Sequence, residues 1–386
     1  MKKRICFLVD SIFSYGGVQR VTAVVAKQLA TDCDVTIVTR DRREDEDTTF
    51  YGLDEATISY RYFVYPESPR WKLLCCKAYS ALYRKVLPQT RLTSEWYGHS
   101  SFPSEKRDAL ASELLNGHYD VIVGVHAPLA VRLAACKPRL DGVCLVGWIH
   151  NSYDALFGPQ SLYVGPELRR HYEWQLEKLD ITVVLSHHDA RKYHFPTQVV
   201  YNPLTLVPGK PSEGRSKRFL AIGRFSRLHK GFDLLIEAFH LFAQEDDEWT
   251  LDLVGEGVEE PLYRELIARY GLEHRIRIHP FTSNVQSYYH QAQVYVLSSR
   301  WEGFGLVLVE AMAHGLPVVS SDLPTSREIM GDFGLYFPTD DVQALAQRLL
   351  QATQVDWPKR SEEALAIASH FDTGQIAAQW RSLLGV

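Results

Sequence analysis

The chain of 386 residues has no apolar run long enough to cross a bilayer, no C-x-x-C pair, no G-x-G-x-x-G string and no strongly basic tract of domain size. Each absence excludes something. A transmembrane helix needs about 20 consecutive apolar residues. The opening MKKRICFLVDS has five before Asp10, too few for a signal-peptide core, and reads as a first strand. The six cysteines, at 6, 33, 75, 76, 136 and 144, all lie in the first half with no histidine at ligand spacing. They read as reduced thiols of a cytoplasmic protein, neither a disulfide framework nor a zinc site. Residues 1–205 carry 25 Lys+Arg against 23 Asp+Glu, which leaves 42 − 25 = 17 against 47 − 23 = 24 for the rest. Nucleic acid is therefore not an expected partner.

What is present is an alternation of short apolar runs with amphipathic stretches. RICFLV, DVTIVT, DVIVGV, GVCLVGWI, ITVVLS and TQVVY read as strands buried on both faces, and GVQRVTAVVAKQLA and PELRRHYEWQLEKLD as helices between them. The pattern stops at Asn202–Lys217, which holds three prolines, two glycines and no periodic run, and then restarts with RFLAIG, TLDLVG, RIRIHP, VYVLSS and LPVVSS. Two doubly wound α/β domains in tandem are expected, 1–203 and 204–371. The last helix, within about 372–386, presents Ile376, Trp380, Leu383 and Leu384 at helical spacing and is expected to pack back on the first domain.

In open parallel sheets ligands sit outside the carboxyl ends of the strands, so two such domains are expected to face one another across a cleft lined by strand-to-helix loops. Three loops carry chemistry. DSIFSYGGVQR places Gly16 and Gly17 just before a helix, where backbone can approach an anion closely. AIGRFSRLHKGFD sets Arg224 and Lys230 around a loop that opens another helix, a fork and a point charge suited to a diphosphate. SRWEGFGLVLVEAMAHG places Glu302 on a glycine loop and Glu310 eight residues on, inside an apolar run where a buried carboxylate needs a reason. The N–H groups of Gly303, Phe304, Gly305 and Leu306 start that helix. A bland turn, a solvated basic loop and a helix-capping acid are the competing structural readings. LVGEGVEEP has acids where a third fingerprint glycine would sit, which counts against a dinucleotide oxidoreductase.

The strings EGFGLVLVEAMAHGLPVV and GRFSRLHKGFD, with GGVQR, WIHNSYDAL and VVYNPL in order along nearly the whole chain, resemble the retaining family 4 glycosyltransferases, nucleotide-sugar enzymes of the two-Rossmann GT-B architecture. The resemblance implies that Glu302, the first acid of the E-x7-E motif, contacts donor sugar hydroxyls, and that Glu310 contacts the ribose. It also implies that Arg224 and Lys230 hold the diphosphate and His150 reaches the transferred sugar. The backbone at Gly17 would approach donor phosphate and acceptor, and that around Phe281 would receive the base. His126, at a comparable strand end, is the competitor of His150 and is read as cleft lining.

These expectations amount to metal-independent transfer of a hexose or N-acetylhexosamine with retention. The donor would be a nucleotide sugar, UDP-linked in most such enzymes, and the acceptor a glycan or lipid-linked saccharide of cell-surface polysaccharide such as lipopolysaccharide or capsule. No cofactor is expected beyond the donor substrate. Removing Arg224 or Lys230 would cripple turnover and leave the fold intact. A nucleotide-sugar 2-epimerase on the same fold and a non-catalytic sugar-nucleotide binding protein are the alternatives. Between Glu67 and Glu95 the chain carries six Lys+Arg and no acid, with Trp71, Leu74, Cys75, Ala78, Leu82 and Val86 on one helical face. That stretch, about 69–92, reads either as peripheral contact with an anionic membrane at the inner face of the plasma membrane or as a helix packed on its own domain.

Overall fold

The computed structural model describes residues 2–159, 161 and 163–386. The chain divides into two compact units, one of Met1–Pro203 with Thr373–Val386 and one of Leu204–Asp372.

The first unit is built on seven parallel strands: β1 (Arg4–Leu8), β2 (Asp34–Thr39), β3 (Ile58–Tyr62), β4 (Val121–Val125), β5 (Cys144–Trp148), β6 (Ile181–Val184) and β7 (Gln198–Val199). Their order is β3-β2-β1-β4-β5-β6-β7. The chain leaves β1 toward one edge and returns at β4 to build the other, so the topological switch lies between β1 and β4. Ile5 pairs with both Val35 and Val121, which centres β1 in the sheet. Helices cover both faces, and for that reason β4 and β5 are near-continuous apolar runs.

The second unit repeats the plan with six parallel strands: β8 (Arg218–Ile222), β9 (Thr250–Val254), β10 (Ile276–His279), β11 (Val294–Leu297), β12 (Val318–Ser321) and β13 (Leu335–Phe337). The order β10-β9-β8-β11-β12-β13 puts its switch between β8 and β11. Its core packs Phe219, Phe239, Phe242 and Trp249 around the helix Phe232–Phe242. Residues 204–217 form no regular element but are held to this unit: the Ser212 amide donates to the His314 carbonyl at 2.9 Å, and Trp357 Nε1 donates to the Gln293 carbonyl at 2.8 Å beside Gly214.

The terminal helix Thr373–Leu384 lies on the first unit, against the helix Gly17–Leu29. Trp380 is fully buried with its ring 4.6 Å from that of Trp148, and Arg381 Nε bonds Asp32 Oδ2 at 2.8 Å. Among the described residues no helix is long and apolar enough to cross a membrane.

Candidate functional site

In the second unit the sequence-marked residues gather at the switch point. β8 ends at Ile222, and the loop Gly223–Ser226 leads to a single helical turn, Arg227–Lys230. This loop is laced to the one after β9: the Gly223 amide donates to Val254 O at 3.0 Å and the Phe225 amide to Glu256 O at 2.7 Å. A side chain on Gly255 would place its Cβ 2.0 Å from Gly223 O, and one on Gly257 would stand 2.3 Å from Phe225 O. Both glycines also have positive φ, near +155°. The two glycines of LVGEG, read from sequence as a failed fingerprint, are therefore the floor on which the Arg224 loop lies.

On its other side the loop is tied to the one after β11. Ser298 Oγ donates to Lys230 O at 2.9 Å and the Arg300 amide to His229 O at 2.8 Å. The Arg300 guanidinium reaches both oxygens of Asp233, at 3.1 and 3.2 Å, and Arg227 Nε reaches the same carboxylate at 2.9 Å. Gly231 takes φ +61° at this crossing, where a Cβ would meet Ser298 O at 2.3 Å.

The stem of Lys230 crosses Gly223 and brings Nζ to 2.6 Å from Glu302 Oε1. Ser299 Oγ donates to the same oxygen at 2.6 Å, and His229 Nε2 stands 3.8 Å from the other, its ring stacked on Trp301 at 3.7 Å. Glu302 is only 8% exposed. Burial pushes its carboxyl up, but the Lys230 ammonium and His229 outweigh burial and hold it well below the usual carboxylate range. Arg224 projects into solvent with no ion-pair partner among the described residues.

Gly305 (φ +87°) opens the helix Leu306–Ala313. The first N–H groups of a helix have no intrahelical acceptor and carry its positive end. Phe304 turns inward against Phe371, ring to ring at 5.7 Å, while Gly303 stays half-buried. Glu310 is 2% exposed, accepts from Tyr289 Oη at 2.9 Å, and lies 3.4 Å from Thr205 Oγ1. It is thus no surface residue. The buried Tyr295 hydroxyl lies close enough to feel both carboxylates, which adds to the upward push of burial on it. Lys230 and Glu302 are thus in direct contact, while Arg224 lies on the loop that leads to Lys230 and Glu310 on the helix that follows Glu302. Phe281 follows β10 with its side chain 42% exposed.

The first unit presents a separate set at its own switch. Gly16, extended at φ 177°, precedes the helix that starts at Gly17; its amide donates to Tyr51 Oη at 2.8 Å, and that hydroxyl donates to Ser14 O at 2.9 Å. Asp41 accepts from the amides of Ile12 (2.7 Å) and Phe13 (3.2 Å) and from Thr39 Oγ1 (2.8 Å). These bonds overcome the effect of burial and hold its carboxyl below the ordinary value. Neither Tyr51 nor Asp41 was legible as a loop support, because each acts from another segment.

His150 follows β5, with its ring 4.3 Å from Trp148 and 5.5 Å from His126. Its Nε2 is buried with no hydrogen-bond partner among the described residues. Burial, with the neighbouring His126, keeps this imidazole neutral, well below the ordinary histidine value. His126 starts a helix at φ +77° and is likewise lowered by burial.

Residues 216–354 match the family model described as Glycosyl transferases group 1. An uncharacterized glycosyltransferase of Haemophilus influenzae is 36% identical over 191 residues, 48% of this chain and 54% of that protein. The phosphatidyl-myo-inositol mannosyltransferase of Mycobacterium leprae is 33% identical over 268 residues, 63% and 66% of the two chains. The lipopolysaccharide core mannosyltransferase LpsB of Rhizobium meliloti is 26% identical over 255 residues, 58% and 72%. The chain thus spans about half the length of the first of these relatives. Among solved structures, Anabaena HepE in complex with UDP superposes with a TM-score of 0.75 at 21% identity over 99% of both chains. TarM does so at 0.72 and 13%, over 100% and 99%. Two parallel-sheet units with these neighbours define the GT-B fold. Residues 216–354 belong to the group 1 glycosyltransferases, and the chain as a whole shares the fold of these neighbours.

Proposed function

We propose that this protein transfers a hexose or N-acetylhexosamine, with retention, from a nucleoside-diphosphate sugar to a glycan or lipid-linked saccharide of the cell surface. The observation that carries this reading is the Lys230–Glu302 pair at the β8/β11 switch, with an exposed Arg224 on the loop that leads to Lys230. A diphosphate meets Arg224, the Lys230 ammonium and the amides that open the helix at Leu306. Glu302 takes sugar hydroxyls, and Glu310, steadied by Tyr289, takes the ribose diol.

The bond from the anomeric carbon to the diphosphate oxygen breaks through an oxocarbenium-like state. The acceptor oxygen bonds to the same face, and its proton goes to the departing phosphate oxygen. The cations and helix amides stabilise charge as it develops on the leaving group. His150, neutral and with a polar edge unspent inside the protein, is assigned to the transferred sugar. A UDP-linked donor is favoured by the GtfA relative named for UDP-N-acetylglucosamine and the HepE complex with UDP; a GDP-mannose-named relative from Xanthomonas campestris makes GDP-mannose the comparison donor.

The test is a thermal-shift series of UDP- and GDP-sugars on the wild type and Arg224→Ala, followed by donor turnover. A donor should raise the melting temperature of the wild type. Arg224→Ala should lose about 10²–10³ in turnover. No shift with any nucleotide sugar, or unchanged turnover in the variant, overturns the reading.

A further inference from the structure

The turn that carries Lys230 cannot hold its own shape. Arg227–Lys230 is four residues long, Ser226 before it makes no side-chain cap bond, and Gly231 after it is left-handed at φ +61°. Helical segments this short are unstable in water by themselves, so the geometry of the turn is set from outside. Two side chains set it, those of Asp233 and Arg300.

Asp233 lies in the first turn of the helix Phe232–Phe242 and is 6% exposed. It accepts from Arg227 Nε at 2.9 Å and from Nη1 and Nη2 of Arg300 at 3.1 and 3.2 Å. Arg300 also donates from Nη1 to the Arg227 carbonyl and from its amide to the His229 carbonyl, the latter at 2.8 Å. It therefore grips the turn at both ends. Its Nε donates to Asp340 Oδ1 at 2.7 Å, on the loop after β13, where Asp340 has φ +65°. A non-glycine residue stays in that conformation only where the structure around it imposes it, and such residues cluster at ligand sites.

All three guanidinium nitrogens of Arg300 are thus engaged within the protein, an arrangement that suits a support and not a phosphate ligand. Glu302 lies two residues further along the same loop, so the segment that grips the turn also supplies the acid that Lys230 Nζ meets at 2.6 Å.

We infer that Arg300 and Asp233 are positioning residues, which fix the turn so that the Lys230 ammonium stands where the donor diphosphate binds, a role that rests on the donor-site reading above. Neither side chain is assigned a contact with the donor.

The experiment is calorimetric binding of UDP to the full chain in a double-mutant cycle. Arg300→Gln should weaken UDP binding about tenfold, the effect of displacing one charge-assisted contact. Its donor turnover should fall on the order of a hundredfold, as for a charge misplaced by about 1 Å. Arg300→Lys keeps a charge beside Asp233 but loses the planar fork, and should recover only part of either loss. Arg300→Gln/Lys230→Met should bind UDP no more weakly than Lys230→Met alone, because Arg300 acts through Lys230. Asp233→Asn should show the same dependence on Lys230, and it decides the matter if Arg300→Gln does not fold. Wild-type affinity in the folded single variants, or losses that add to that of Lys230→Met, overturns the inference and leaves the donor-site reading standing. A wild type that binds neither UDP nor GDP overturns that reading, and the inference with it.

Discussion

The Nζ of Lys230 lies 2.6 Å from Oε1 of Glu302, and both side chains are nearly shut off from water, 12% and 8% exposed. The sequence presents them as two separate ligands, one for phosphate and one for sugar. The structure makes them a pair that hold each other in place before any ligand arrives.

Removing one member of this pair should therefore act on stability as well as on turnover, a correction to the expectation that Lys230→Ala leaves the fold intact. Lys230→Met strands the Glu302 carboxylate, and breaking a buried pair in that way costs about 3–5 kcal/mol. Lys230→Met/Glu302→Gln should recover much of the loss. Urea unfolding of the two variants decides it, and equal midpoints would mean that the pair does not couple. Arg224, solvent-facing, remains the substitution whose effect on turnover is free of a stability loss.

The same pair predicts an acid limb. Because the folded Glu302 carboxyl is held below its unfolded value, its contribution is fully present above about pH 4.3 and is lost as pH falls toward the folded value. Glu302→Gln should therefore lie below the wild type in stability near neutrality and approach it under acid. Urea midpoints at pH 3 and pH 7 check this; a difference that does not narrow at pH 3 contradicts it.

His150 sets a second window of similar slope. Its folded value is depressed by burial, so below about pH 6.5 the unfolded chain binds a proton that the folded chain refuses. Stability is then lost as pH falls, by up to about 1.4 kcal/mol per pH unit from this one group. His150→Asn should show a flatter stability profile between pH 6.5 and 5 whatever its stability at pH 7. A slope identical to wild type would mean that His150 titrates freely.

The β8/β9 floor can be probed at one atom. Gly255→Ala puts a Cβ where Gly223 O lies 2.0 Å away, at a φ that L residues rarely adopt. The Gly223–Phe225 loop must shift, and Arg224 with it. Donor affinity should fall by about tenfold or more by calorimetry, the cost of a displaced charge-assisted contact, while the protein keeps its circular dichroism. Wild-type affinity would show that Arg224 is not positioned by this loop.

How far sequence reaches is visible in these residues. Strands β1, β4, β5, β8 and β11 read as apolar runs because both their faces are covered, whereas β3, ISYRY, is half-exposed at a sheet edge and gave no such signal. Glycine spacing at 255 and 257 was legible, but not that carbonyls of a loop thirty residues earlier would lie against them. The apolar stripe from Trp71 to Val86 was legible as a face; its direction was not, since that is fixed by Tyr79 and Tyr83 against the neighbouring helix. The contact of Lys230 with Glu302 spans 72 residues and needs the register of β8 beside β11.

The terminal helix links stability to the His150 site. Trp380 is buried against Trp148, and the Trp148 ring in turn lies 4.3 Å from that of His150, tilted at 45°. Trp380→Ala removes the support behind that contact and leaves a cavity, a change that costs about 3–5 kcal/mol in a well-packed core. It should destabilise the first unit by that amount and loosen His150, seen as faster hydrogen exchange at β5 and as a rise in the histidine's apparent pKa as water enters. Trp380→Phe, which keeps an aromatic ring there, should restore most of both. If Trp380→Ala destabilises the protein but leaves the His150 titration where it was, the packing chain from the terminal helix stops at Trp148.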